Sequence, residues 1–461
     1  MKKYIEDVKK FLDDKHGEMI DCLAEFIRVP SVKGSAEKEC PFGKNVAEGL
    51  KFIRSKADEF GLHTENFKNM IVTADISERE SGLGILCHTD VVGVNPAQWH
   101  TPPFEPVIKE NMIYGRGSGD NKGPCVAALY AAYAVKSLGI PLKKNARIYF
   151  GSDEESGFVD MKEYLKTNEF PENVFVPDAC FPVGTSETGR VVLEIRAHTK
   201  LKYVKEIECG KDGKAVPDTA EITLKNADDK LIEAALNAVS PDVKRKIEKR
   251  GEGEYFVTLT GVSTHPAHPQ YGISAATAAV AFVSALESEN QTFADLKKLF
   301  PHGVFFGEPF GITPGNTTLS IVAIRLKNGE LYIETDSRFQ PGNTVAKISG
   351  AFLEKFEKTS SVFDVKAVQC VEAHSVSKDA PLVQTLQRIY TEQTGRNDEP
   401  YGLDAMTYAH EKDDAVIFGG VLYGDGNCNA HGADERYNLD TLLAAAKLFA
   451  IAIMEICGVE E

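Results

Sequence analysis

No two of the nine cysteines are spaced as C-x-x-C, and their number is odd. That argues against a disulfide framework and against a cysteine zinc site, and it suits a reducing compartment. No segment is dense in lysine and arginine, and the formal net charge is -16. Nucleic-acid binders carry basic patches, so no nucleic-acid partner is expected. No apolar run is long enough to cross a bilayer: the most apolar stretch, residues 442–456, contains Lys447 and Glu455 and reads as a buried helix. Residues 1–27 alternate charged and apolar side chains without a continuous apolar centre, which is an amphipathic helix rather than a signal peptide. A cytoplasmic protein with no membrane partner is the expectation.

What is present is the composition of a soluble globular protein, 43% hydrophobic and 26% charged. At 461 residues the chain is too long for one ordinary core, and two domains are expected. Val46, Leu50, Ile53, Ala57 and Phe60 recur at helical spacing up to Gly61. Short apolar strands are expected at 83–87, 148–150 and 174–176, with a small-residue helix opened by Pro124 between the first two. Strands alternating with helices predict an α/β domain with a mainly parallel sheet covered on both faces. From about Thr185 the texture changes to the alternating pattern of half-exposed strands, at 191–197, 220–224, 254–259 and 331–335, with few helices between them. After about Ala380 the α/β pattern resumes, with a helix at 382–394, a strand at 415–418 and a last helix capped by Asn438. The predicted architecture is a discontinuous α/β catalytic domain in two parts, 1–185 and 381–461, interrupted by an α+β lid at 186–380.

Metal-competent residues recur directly after the predicted strands, where open α/β sheets bind their ligands. His88-Thr89-Asp90 is the first such place. A metal-bound histidine usually donates its other N–H to a carboxylate, a role Asp90 can fill, although H-x-D alone is a weak signal. Next is the run Gly115-Arg116-Gly117-Ser118-Gly119-Asp120-Asn121-Lys122-Gly123, where a carboxylate in a tight turn could bridge two cations. Its bland alternative is a glycine turn with Asp120 as a helix N-cap. The third is Gly151-Ser152-Asp153-Glu154-Glu155-Ser156-Gly157. Adjacent carboxylates there can divide labour, one binding metal and one moving a proton, or can simply form a solvated acidic helix start. Asp178 and His431, the latter in Asn429-Ala430-His431-Gly432-Ala433-Asp434-Glu435, complete the set, each unremarkable alone.

Taken in order, these motifs resemble those of the aminoacylase/carboxypeptidase/dipeptidase family of di-zinc metallopeptidases. Residues 26–32 (Phe-Ile-Arg-Val-Pro-Ser-Val) are similar to that family too, as is Gly261-Val262-Ser263-Thr264-His265 with Pro269, Gly272 and Ala275. The large lid and Pro177-Asp178-Ala179-Cys180-Phe181-Pro182 look most like its bacterial dipeptidase (PepV-like) branch. The resemblance implies His88 and Asp178 on one metal, Glu155 and His431 on the other, and Asp120 bridging both. It implies Asp90 orienting His88, Glu154 as general base, His265 steadying an oxyanion, and Arg338 meeting the substrate carboxylate. A cis peptide at Asp120-Asn121 is implied as well. The implied cofactor is two zinc ions per chain, with manganese or cobalt as alternatives.

The implied activity is hydrolysis of peptide bonds in dipeptides or short peptides by a water bridging the metals, with Glu154 as base. One alternative is an N-acyl-amino-acid deacylase or desuccinylase on the same site; another is a non-catalytic peptide-binding protein. A monomer is favoured over a dimer, because the enlarged lid does the work of a second subunit in dimeric relatives. Three positions depart from the branch: Lys214 stands where relatives carry Asn, Asp404-Ala405-Met406-Thr407-Tyr408-Ala409-His410 replaces a glycine run with a following basic residue, and Asp434 replaces Asn before Glu435. Lys214 can still donate to an oxyanion and is kept among the substrate-binding candidates. Of the surplus histidines, His100, His268, His302 and His374 read as surface or structural. Trp99 reads as a packing residue.

Overall fold

The computed structural model describes residues 1–210, 215–304, 306–312, 317–422 and 428–460, so Lys214 lies outside the described residues. The chain divides into two compact units, Met1–Glu187 with Ser375–Glu461, and Thr188–His374. The return to the first unit comes at Ser375, earlier than the lid boundary at 380 read from sequence texture. The reason is a strand-like bond that texture does not show: Val376 N–H donates to Thr185 O at 2.8 Å.

In the first unit a sheet runs in the order His63–Phe67, Ile71–Asp75, Asn145–Gly151, Ser81–His88, Asn173–Val176, Val416–Ile417, Gly184–Glu187. Its centre is parallel and its flanks are antiparallel. The flank at one side is a tight hairpin turned by Lys68 and Asn69 at positive φ, a connection that only antiparallel strands allow. The central strand Ser81–His88 is buried along almost its whole length, which is why residues 83–87 form an unbroken run without a polar side chain. Helix Gly123–Ser137 carries fully buried Ala127, Ala128, Ala131, Ala132 and Ala134, and it packs on the final helix Leu439–Cys457. Small side chains let those two axes approach closely. Asn438 caps the final helix by accepting from Asp440 N–H and Thr441 N–H. Among the described residues no helix is long and apolar enough to cross a membrane. All nine cysteines are free thiols.

The second unit is built on a wholly antiparallel eight-stranded sheet, in the order Lys244–Gly251, Glu254–Thr260, Thr219–Leu224, Val204–Cys209, Ser320–Lys327, Glu330–Phe339, Gly189–His198, Asp364–Val371. It carries more helix than its alternating texture predicts: Asp229–Leu236, Ala275–Leu286, Gln291–Leu299 and Val345–Thr359. Each starts at a side-chain cap, from Asp228, Ser274, Asn290 and Thr344 respectively. Ala275–Leu286 is apolar nearly all round because it is buried, so it lacks the 3.6-residue polarity signal.

Beyond that helix Glu287 turns back into the unit. Its Oε1 accepts from Tyr203 N–H at 2.5 Å and Val204 N–H at 3.0 Å, and its Oε2 accepts from Lys202 N–H at 3.0 Å. The side chain is buried, so an alanine strands three backbone donors. Each such group costs about 1–3 kcal/mol. Val204 N–H is the buried one of the three, so Glu287→Ala is expected to destabilise by about 1–3 kcal/mol, and Glu287→Gln, which keeps the Oε1 acceptor, by less. Urea unfolding followed by circular dichroism checks the order of the two variants.

Candidate metal centre

Three parallel strands end at one edge of the central sheet. Ser81–His88 delivers His88, Asn145–Gly151 runs into Asp153-Glu154-Glu155, and Asn173–Val176 leads to Asp178. Asp120 comes from the glycine-rich turn before helix Gly123–Ser137, and His431 from the loop before strand Arg436–Asn438. Gly117 takes a left-handed conformation at φ +84°, and a Cβ on Gly123 would collide with Ser118 O and the Tyr437 ring. Asp120 is not a helix cap: helix Gly123–Ser137 begins after Lys122 with no side-chain cap. The Asp120-Asn121 peptide is cis.

Asp120 is the centre of the cluster. Its Oδ1 lies 3.0 Å from His88 Nε2 and its Oδ2 lies 3.1 Å from His431 Nε2. Asp178 Oδ1 approaches His88 Nε2 at 3.6 Å, and Glu155 Oε2 approaches His431 Nε2 at 3.0 Å. Two groups could each hold a metal ion, His88-Asp120-Asp178 and Asp120-Glu155-His431, sharing Asp120. The acidic run at 153–155 is not a solvated helix start; Asp153 and Glu154 are buried in a short turn, Glu154–Ser156.

Around this set lies a ring of side chains that hold backbone. His88 Nδ1 donates to Asp90 O at 3.0 Å, with Asp90 Oδ1 at 3.4 Å. With Nδ1 engaged by Asp90, the ring presents Nε2 to Asp120 and Asp178. The two Asp90 oxygens also accept from Glu154 N–H at 3.3 Å and Glu155 N–H at 3.2 Å. Asn121 donates from Nδ2 to Asp178 Oδ1 and to Pro177 O, both at 2.8 Å. Cys125 Sγ donates to His88 O at 3.0 Å, Ser31 Oγ to Thr89 O at 2.6 Å, and Lys33 Nζ to Asp153 Oδ1 at 2.5 Å. Asn121, Cys125, Ser31 and Lys33 had no assigned role from sequence. Their partners are main-chain atoms or distant residues, which leave no local pattern to read.

The charges explain what the cluster wants. Burial drives the Glu154 carboxyl well above its ordinary range, and the Asp178, Glu155 and Asp120 charges add to it. Burial and Asp120 push Glu155 up to about 7. Asp178 is raised chiefly by burial. Asp120 goes the other way: burial works against it, but hydrogen bonds from His431 and His88 hold it below the usual carboxylate range. The His431 imidazole, half exposed to solvent, is raised to about 11 by Asp120 and Glu155 against the desolvation that lowers it. Four largely buried carboxylates crowd two imidazoles. Such crowding calls for cations, and the nitrogen and oxygen donors present fit two of them.

His265 and Arg338 belong to the second unit. His265 Nδ1 accepts from Ala267 N–H at 3.1 Å, so the proton of the neutral ring sits on Nε2. Arg338 donates from Nε to Asp336 Oδ1 at 2.7 Å and from Nη2 to Asp336 Oδ2 at 3.3 Å. Of the other histidines, His100 pairs with Asp434 at 2.6 Å and His302 with Thr277 at 2.8 Å. The departures from the family pattern are occupied: Asp434 accepts His100 N–H and Thr101 N–H, and His410 pairs with buried Glu187.

Residues 84–455 match the model of peptidase family M20/M25/M40. The "Putative dipeptidase YtjP" of Bacillus subtilis is 30% identical, across 96% of this chain and 98% of its own length. Among solved structures, human carnosine dipeptidase 1 superposes with a TM-score of 0.62 at 14% identity, covering 98% of this chain and 99% of its own. The metallo-carboxypeptidase Sso-CP2 of Sulfolobus solfataricus does so at 0.61 and 17% identity, covering 95% and 99%. With most of its length matched by the family model, and with the clustered carboxylates and histidines described above, the chain belongs to peptidase family M20/M25/M40, whose members are peptide-hydrolysing enzymes.

Proposed function

We propose that this chain is a dipeptidase working with two zinc ions, one held by His88 and Asp178, the other by Glu155 and His431, and both by Asp120. The observation that carries this reading is the Asp120 carboxylate, whose two oxygens meet two histidines more than three hundred residues apart, one at a strand end and one in a loop. The dipeptidase names of similar proteins, YtjP and carnosine dipeptidase 1, support the substrate class. Manganese or cobalt would suit the same donors.

Bound there, the metals would supply Lewis acidity, polarising the scissile carbonyl and lowering the pKa of water toward about 7. The rest is the work of the chain. Glu154, buried beside Asp178 and His88, takes a proton from the attacking water on its carboxylate and passes it to the leaving nitrogen as the C–N bond breaks. Its raised affinity for a proton suits that exchange. Asp90 keeps the His88 proton on Nδ1, away from the reacting centre. His265, protonated on Nε2, can donate to the developing oxyanion. Arg338, its plane fixed by Asp336, offers a fork for the substrate carboxylate. The protein is read as a cytoplasmic monomer that acts on dipeptides or short peptides.

Glu154→Ala should lower kcat by at least about 10²–10⁴-fold while elemental analysis still finds two metals per chain; loss of metal in that variant would mean Glu154 and Glu155 have exchanged roles. Chelation should abolish hydrolysis and zinc, manganese or cobalt should restore it. A panel of free dipeptides against N-acyl amino acids then decides the substrate: a requirement for a free amino terminus is expected, and preference for the acylated compounds would make the enzyme a deacylase.

A further inference from the structure

Arg116 and Glu435 form an ion pair at 2.6 Å in which both side chains are almost wholly removed from solvent, 2% and 0% exposed. Neither touches the reacting centre through its own charged group. Glu435 Oε2 accepts from Arg116 Nη1 and from Gly117 N–H at 3.0 Å, and Oε1 accepts from Gly119 N–H at 2.9 Å and Asp120 N–H at 3.1 Å. Arg116 Nη2 donates to His431 O at 3.1 Å and Gly432 O at 3.0 Å. One hydrogen bond of this brace thus ends on the backbone of Asp120 and another on the backbone of His431. The Trp99 ring covers the guanidinium, its centroid 5.3 Å away.

Two further observations give the brace a direction. His431 is held at φ +62°, a conformation that side-chain-bearing residues rarely adopt and that persists only where neighbours enforce it. The Arg116 bonds to His431 O and Gly432 O sit on that turn. By contrast, His88 and Asp178 are held by other residues, Asp90, Cys125 and Asn121. We propose that Glu435 is a positioning residue for one metal of the pair, fixing through Arg116 the separation of Asp120 from His431. This rests on the two-metal reading. The brace meets the Asp120-Glu155-His431 group at two of its donors, Asp120 and His431, and the His88-Asp120-Asp178 group at Asp120 alone.

The test is zinc titration of the metal-depleted full chain by calorimetry and elemental analysis, with thermal unfolding of the metal-depleted protein alongside. Wild type is expected to take up two zinc ions. Glu435→Gln, which keeps the shape but loses the charge and one acceptor, should bind one zinc as wild type does and the other about 10–100-fold more weakly, with its unfolding midpoint little changed. Arg116→Lys, which keeps the charge but loses the fork that reaches His431 O, should give the same selective loss and serves if Glu435→Gln does not fold. Asp434→Ala, in the same loop but bonded to His100 and Thr101, should keep both zinc ions. Two zinc ions bound at wild-type affinity in both Glu435→Gln and Arg116→Lys would overturn the inference alone. So would equal weakening of both ions with a lowered midpoint, or loss of one ion in Asp434→Ala. A wild-type chain that binds a single zinc would overturn the two-metal reading and the inference with it.

Discussion

A carboxylate held between two imidazoles is the interaction on which the rest of this architecture depends. Taking most of Asp120 out of water is costly, and it stays ionised because His88, at a strand end, and His431, in a loop, approach its two oxygens. Glu155, Asp178 and Glu154 add further negative charge to the same space, more than two histidines can balance. The deficit is what marks the cluster as a candidate metal centre rather than a structural ion-pair network. A parallel sheet supplies the means, because it brings several chain segments to one edge without fixing their sequence separation.

The donors are distributed over the chain, so their spacing has to come from the backbone. The glycine-rich turn at 115–123 and the loop at 428–435 are not regular structure, and neither can hold a side chain to a few tenths of an ångström by itself. The structure answers with side chains that accept or donate to main-chain groups: Asp90, Asn121, Cys125, and the Arg116-Glu435 pair. Buried polar groups of this kind are stabilising only when every partner is in place, which ties the order of the site to the folding of the unit around it.

This explains what could be read from the sequence and what could not. Strands that deliver donors were legible because they are buried on both faces and read as apolar runs, as 83–87 and 174–176 do. The donors themselves were legible because their order along the chain resembles one family, not because any single motif was strong. Antiparallel flanks, the buried helix Ala275–Leu286 and the return of the chain at Ser375 were hidden, since apolar composition without a period does not tell helix from strand and a single backbone bond leaves no mark in sequence. The supporting ring was hidden for the same reason: Arg116 and Glu435 stand in plain view inside quoted motifs, yet nothing in either motif says that they meet.

Two adjacent glutamates can serve different ends only if the turn that carries them is fixed, and here Asp90 holds the backbone N–H of both. Asp90 places one oxygen on Glu154 N–H and the other on Glu155 N–H, while its carbonyl takes the His88 proton. Neighbouring residues in such a turn must send their side chains in different directions. Glu155 reaches His431, and Glu154 stays buried beside Asp178 and His88. A carboxylate that grips the metal is held by it as an anion and exchanges no proton; one left beside it, raised by burial and by like charge, can take a proton and give it up again. In the proposed mechanism, the division of labour between base and ligand is therefore set by a hydrogen-bonded backbone. The two glutamates are chemically the same, and their surroundings make them different.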